Sequence, residues 1–299
     1  MSAGVIRHSP MSRRSAGGTF GTGAKGSAMS NSSRKDAFYY ADYLKLSALL
    51  DAQQPESTRH GRPAHDEMLF IVVHQTYELW FKQILHELDA AIALCEEDRV
   101  PAATRAVKRI VEIEKLLLNQ IHILESMTPI SFLAFRDQLN PASGFQSMQF
   151  REIEISSGLK DKNIVREFAD DEFAHERLQK RLASLSMADA FYRVLERRGL
   201  KGERTQAVLE ILTHFEERYQ EFQLAEALLE HDEYFALWRS HHIKMVERMV
   251  GAKRGTGGSE GIGYLKTTLD KKFFPELWEA RTYLDTKHGE GGCPFAHSS

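Results

Sequence analysis

The chain has 299 residues, 42% of them hydrophobic and 27% charged, enough to bury a full core in one large domain or two small ones. A formal net charge of −3 gives no electrostatic ground for nucleic acid or an anionic membrane as partner, and no apolar run is long enough to span a bilayer. Cys95 and Cys293 are the only cysteines and lie far apart, which excludes a disulfide framework and a thiolate zinc site and points to a reducing compartment, the cytoplasm.

Residues 1–35 are rich in Ser, Gly and Ala and carry Arg7, Arg13, Arg14, Lys25, Arg34 and Lys35 with no acidic residue. They hold no apolar h-region of a secretory signal, and although an organelle transit peptide shares this composition, a disordered tail is expected. Residues 287–299 read likewise as a loose end. Between the tails, residues 36–286 predict one all-α domain, with helices near 37–52, 64–97, 101–126, 129–139, 171–198, 204–229 and 231–251. No alternation is long enough for a sheet, and no Pro occurs between residues 142 and 274 to interrupt a helix.

The run from Asp66 to Asp89 contains no Gly or Pro and is apolar nearly all round from Met68 to Val73, which predicts a helix inside the protein rather than on its surface. Phe70, His74, Tyr77 and Phe81 share one helical face. His74 is therefore set in an aromatic stripe, either as a core histidine bonded to a neighbouring carbonyl or as a functional imidazole. Farther on, Val107, Ile110, Val111, Leu117, Leu118, Ile121 and Leu124 mark an amphipathic helix. Arg136 follows Phe132 by one turn, and if it is buried a carboxylate must meet it, a ligand's included.

Three familiar patterns fail on inspection. His86-Glu87 has Ala90 where a zinc-protease helix needs its second histidine. Glu172-Phe-Ala-His175 is a single copy of a motif that a di-iron bundle needs twice. Gly255–Gly261 lacks the Gly-Lys-Ser/Thr ending of a phosphate loop. His241 and His242 are adjacent on a helix and point about 100° apart, so only one can turn inward. The offsets to Trp238, Met245 and Met249 make it His242, with His241 facing out. A haem iron needs one proximal imidazole and an apolar slot, so haem ligation and simple core packing both remain open on spacing alone.

Taken together, these segments resemble the tryptophan 2,3-dioxygenase family. The likeness runs through Tyr40-Ala-Asp-Tyr-Leu44, Asp66–Thr76, Phe135-Arg-Asp137, Ser143-Gly-Phe-Gln-Ser147, Trp238-Arg-Ser-His-His242, Lys253-Arg-Gly-Thr-Gly-Gly258 and Phe273-Phe-Pro-Glu-Leu277. It implies a haem b pocket between long helices, active with Fe2+, in an intertwined homotetramer that uses O2 to convert L-tryptophan to N-formyl-L-kynurenine. His242 would be the proximal ligand of the haem iron and His74 the distal, catalytic histidine. Phe70 and Phe132 would line the indole slot together with Leu139, Ser143 and Gly144. Arg136 would clamp the substrate carboxylate, Thr256 would bond its carboxylate and ammonium, and Tyr40, Tyr43 and Leu44 would complete a neighbouring subunit's site. The family often carries Tyr where this chain has Phe132 and Phe150, so two phenol hydrogen bonds are missing here. The competing readings are a non-enzymatic haem or oxygen sensor on the same scaffold, for which Arg136 with Thr256 would be superfluous, and a helical adaptor with no haem.

Overall fold

Residues 39–251 and 262–284 are described by a computed structural model, and among them every regular element is helical, with fourteen α-helices, three 3-10 turns and no strand. The chain divides after Ala52. In the N-terminal unit, the single helix expected over 37–52 is two short ones, α1 (Tyr40–Tyr43) and α2 (Leu46–Leu50). They are separated at Lys45, whose φ of 52° is left-handed. Neither buries a residue, so no packing offsets the cost of nucleating one continuous helix.

The main body starts with α3 (Glu56–Arg59), which the sequence does not announce, and α4 (His65–Glu96). Asp66 and Glu67 in the first turn of α4 suit the positive end of the helix dipole. Glu67 also reaches back to accept the backbone N–H groups of Glu56 and Ser57 at 2.8 and 2.9 Å. A tight turn leads into α5 (Val100–Glu125), which folds back along α4. The long α12 (Tyr219–Val250) lies on α5, so α5 packs against both long helices. Ile84 and Leu88 of α4, Ile110 and Ile121 of α5, and Leu224 and Leu228 of α12 are almost wholly removed from water. The expected helices over 64–97 and 101–126 correspond to α4 and α5 within a residue at each end.

Elsewhere the expected boundaries shift. The segment over 129–139 is α6 (Pro129–Arg136) followed by a 3-10 turn through Leu139. Thr128 caps α6 by accepting the Ser131 N–H, and Pro129 supplies its first turn. The expected helix over 171–198 is broken at residues 184–186 into α9 (Glu172–Ala183) and α10 (Met187–Arg197). A reciprocal capping box between Ser186 and Asp189 starts α10, so a new helix begins without any proline to stop the old one. Likewise α11 (Arg204–Thr213) ends early, and α12 runs straight through residue 230, where a break was expected.

Helix α7 (Met148–Ser157) has no counterpart in the sequence reading, because seven of its ten residues are buried and Arg151, Glu152 and Glu154 are among them. With charges inside, its hydrophobic pattern is not helical. The short α8 (Lys162–Arg166) was equally unforeseen. After residue 261 come α13 (Ile262–Lys266) and α14 (Pro275–Glu279). Asp232 of α12 pins this last segment by accepting the N–H groups of Phe273 and Phe274 and the indole N–H of Trp278. Gly158 ends α7 where a Cβ would sit 2.5 Å from the Phe273 carbonyl oxygen, so any side chain there would force the segment away.

One expectation for α4 is overturned. Its apolar circumference does not mean burial all round, since Met68, Val72 and Leu79 are 43%, 41% and 50% exposed. No helix among the described residues is long and apolar enough to cross a membrane.

Candidate active site

A cavity of about 290 Å3 opens between α4 and α12 and is closed by α5, α6, α7 and the turn before α7. The face of α4 foreseen from its spacing, Phe70, His74, Tyr77 and Phe81, forms one wall. Trp238, His242, Met245 and Met249 of α12 form the facing one. His241 is exposed on the outside of α12, as the 100° offset requires. Arg136, Phe132, Ser143 and Gly144 also line the cavity. Leu139 does not. It sits half-buried on the 3-10 turn and packs against the core. Thr256 and the segments Lys253–Gly258 and Gly255–Gly261 lie outside the described residues. Tyr40, Tyr43 and Leu44 are exposed in the N-terminal unit at 74%, 64% and 39%.

The two cavity imidazoles are electronically distinct. His74 Nδ1 lies 2.7 Å from the Phe70 carbonyl oxygen. A carbonyl can only accept, so Nδ1 carries the proton. Burial pushes the His74 pKa down, so the ring is neutral and Nε2 is left as an acceptor without a partner among the described residues. The Phe70 ring lies 3.9 Å from the His74 ring, centroid to centroid, and joins Phe132 and Phe135 in an aromatic box with centroids 5.4–5.7 Å apart. His74 is thus both a helix-bonded histidine and a cavity group.

His242 stacks flat on Trp238, with 5.1 Å between centroids and 9° between planes. Burial, with a smaller contribution from the nearby His74, pushes its pKa down to about 4. Its surface is still partly open, because the cavity itself reaches the ring. A neutral imidazole with no hydrogen bond among the described residues presents a lone pair to the cavity. The described residues hold no cluster of His, Cys, Asp and Glu able to grip a bare metal ion. A metal held by one imidazole needs a macrocycle to supply the other donors, so the donor chemistry fits haem and not a naked cation.

Several polar residues of the cavity were not foreseen. Glu78, one turn beyond His74, accepts the Ser147 hydroxyl at 2.6 Å and the Gln149 amide at 2.8 Å. Ser147 in turn caps α7 by accepting the Phe150 N–H, so Glu78 fixes the start of that helix against α4. Arg151, Glu154, Arg239 and Thr268 also face the cavity. Only the position of Glu78, at i+4 from His74, was a readable signal in the sequence. Phe150 carries no hydroxyl. It stacks on Phe235 at 5.1 Å and packs 5.3 Å from Trp238, so the position is apolar packing in this chain.

The model of the family described as Tryptophan 2,3-dioxygenase matches residues 24–206 and 189–284 of the chain. A tryptophan 2,3-dioxygenase of Herpetosiphon aurantiacus is 44% identical over 262 residues, covering 83% of this chain and 99% of the relative. Proteins of the same description from a Nocardioides species and from Myxococcus xanthus are 45% and 39% identical, covering 82% of this chain each and 94% and 89% of themselves. Matches that span most of both partners, over the helices that build the cavity, leave one assignment: the chain belongs to the tryptophan 2,3-dioxygenase family.

Proposed function

We propose that this chain is a haem b dioxygenase that breaks the C2–C3 bond of the indole ring of L-tryptophan and places one atom of O2 on each carbon as a carbonyl, giving N-formyl-L-kynurenine. The observation that carries the reading is the pair of neutral imidazoles on one aromatic cavity, one with its open nitrogen an acceptor and the other with no hydrogen bond at all among the described residues. His242 is the residue that would hold the iron. Haem, when bound with ferrous iron, supplies the redox chemistry that activates O2.

The chain's own residues position the substrate. Tryptophan offers a carboxylate, an ammonium and one indole N–H on an otherwise apolar body. Arg136 suits the carboxylate, since a guanidinium can make two parallel bonds to it. His74 Nε2 accepts the indole N–H, and Phe70 and Phe132 pack against the ring. In this role His74 orients the ring and need not remove its proton. Ser143 and Gly144 bound the slot, and Thr256 is assigned to the ammonium and carboxylate. A site so built excludes water and holds the ring in reacting geometry, which is where most of the protein's contribution lies.

The homotetramer belongs to the same reading. Tyr40 and Tyr43 lie on α1 and Leu44 in the turn after it, where no residue is buried, and Met68, Val72 and Leu79 leave an apolar stripe of α4 in water. Both surfaces suit burial against further copies of the chain, with Tyr40, Tyr43 and Leu44 completing a neighbour's site. Deleting residues 1–44 is then expected to abolish both the oligomer and activity, whereas deleting 1–34 leaves both.

The deciding experiment incubates the reduced, haem-loaded protein with L-tryptophan under 18O2 and analyses the product by mass spectrometry. N-formylkynurenine with both oxygens labelled is expected. Haem absorbance without product would make the protein a sensor, and no haem absorbance at all would end the reading.

A further inference from the structure

We propose that Glu78 is a positioning residue that sets the width of the indole slot, by holding the Ser143–Ser147 turn at a fixed distance from α4. The inference rests on the dioxygenase reading above and concerns the fit of its substrate. The slot has two walls. Phe70 and His74 belong to α4, whereas Ser143 and Gly144 belong to the turn before α7. Glu78 lies one turn beyond His74 on the same face of α4 and lines the same cavity. Its Oε1 accepts the hydroxyl of Ser147, 69 residues farther along the chain, at 2.6 Å. Its Oε2 accepts the Gln149 amide at 2.8 Å, and the same amide also donates to the Glu78 main-chain carbonyl at 2.9 Å.

The turn that Glu78 holds is closed on itself. The Gln146 N–H donates to the Ser143 carbonyl at 3.0 Å and the Ser147 N–H to the Gly144 carbonyl at 3.2 Å, while the Gln146 side chain accepts the Ser143 N–H at 3.1 Å. A turn bonded in this way moves as one piece, so fixing Ser147 fixes Ser143 and Gly144. Two donors, a hydroxyl and an amide, converge on the side chain of Glu78. A carboxylate meets both, because each of its oxygens accepts and neither donates, whereas a glutamine would turn its own N–H groups toward one of them. An indole ring is rigid and flat. A gap of 0.5–1 Å on one side of it would forfeit roughly a quarter to a half of the dispersion attraction there, so the spacing of the walls decides how well the ring is held. Glu78 joins the wall that carries the indole acceptor to the wall that faces it.

The test measures kcat/KM of the haem-loaded protein for tryptophan and for its 5-, 6- and 7-methyl derivatives, with haem content read from absorbance and folding from circular dichroism. A slot of fixed width should make the parent penalise a methyl group at one or more of these positions by roughly ten-fold or more. Glu78→Gln should lower kcat/KM for tryptophan and shrink that penalty to about two-fold, because a wall free to move accommodates the extra group. Ser147→Ala should do the same, the double variant should be little worse than either single one, and Ser147→Thr, which keeps the hydroxyl, should retain the parent's penalty. Loss of tryptophan and methyltryptophan activity by one common factor overturns the proposal, since Glu78 would then only support the fold. A parent indifferent to the methyl group at every position overturns it as well. Should Glu78→Gln fail to fold, Gln149→Leu removes one donor, leaves the carboxylate its Ser147 partner, and is judged by the same ratio. A haem-loaded parent that did not turn over tryptophan at all would end the dioxygenase reading, and this inference with it, before any variant is made.

Discussion

Two histidines eleven residues apart turn inward from the same face of α12, and their surroundings are opposite. His231 is sealed in the core at 0% exposure, with Nδ1 bonded to Glu114 Oε1 at 2.8 Å and Nε2 to Ser157 Oγ at 2.9 Å. His242 faces the cavity, stacks on Trp238 and has no hydrogen bond among the described residues. Serine, histidine and a carboxylate in one chain of hydrogen bonds look like catalytic machinery. Both nitrogens of this imidazole are spent within the chain, however, and none of its three side chains lines the cavity, so it serves as internal scaffolding. Chemistry requires a group with unspent capacity at an accessible surface. Of the two, His242 alone has it.

The largest test of that contrast is a pair of substitutions. His242→Ala should fold normally and lose nearly all haem, measured by haem absorbance per folded protein. A normal ferrous spectrum at full occupancy would mean that another group holds the iron. His241→Ala, on the outer face, should leave haem content unchanged.

His231→Ala should do the reverse. Burial pushes the Glu114 carboxyl pKa up, with His231 pulling it back, and Glu114 Oε2 already has no partner. Removing His231 strands that carboxyl, which should cost about 3 kcal/mol in denaturant unfolding while haem per folded molecule stays constant. A stable His231→Ala that lost haem would erase the distinction between the two histidines.

Within the cavity, Arg136→Lys keeps the charge and loses the planar fork. The kcat/KM for tryptophan should fall roughly 100-fold, about 2.7 kcal/mol, with haem occupancy unchanged. Tryptamine has no carboxylate and should lose little further in the variant. Equal losses for both substrates would make Arg136 structural.

A smaller effect is expected from His74→Ala. Tryptophan turnover should drop about ten-fold more than 1-methyltryptophan turnover, because the methylated ring has no N–H for Nε2 to accept. Parallel losses would remove that hydrogen bond from the mechanism.

The smallest effect belongs to a closed group at the surface. Burial alone would raise the pKa of Asp189, but Lys160 at 2.8 Å and the N–H and hydroxyl of Ser186 outweigh it and hold the carboxyl at about 2. A depressed carboxylate stabilises the fold above its unfolded pKa, and that stabilisation is lost as pH falls through the folded value. Asp189→Asn should therefore cost about 1 kcal/mol at pH 7, a cap's worth, and the difference from the parent should vanish as pH falls from about 4 to 2. A pH-independent difference would locate the loss in shape rather than charge.

The sequence reading succeeded where one element carries the whole signal. The Phe70, His74, Tyr77 and Phe81 face follows from helical spacing alone, and so does the choice of His242 over His241. It missed α7, whose Glu152 and Glu154 are buried against arginines of α9 and α12, and whose Arg151 is buried against Glu154 and Glu167, so that all three look like solvent-facing charges in one dimension. It also took the apolar circumference of α4 for burial, because composition does not say whether the cover comes from this chain.

Local periodicity, turn chemistry and residue spacing determined that the chain is helical, which face of each long helix carries aromatic rings and histidines, and which family it resembles. Those properties depend on neighbours within a few residues. Why His231 is scaffold while His242 is open was decided only when α4, α5, α7 and α12 came together. Burial, dielectric and hydrogen-bond capacity are set by atoms brought from tens to more than a hundred residues away, and no local pattern records what will arrive there.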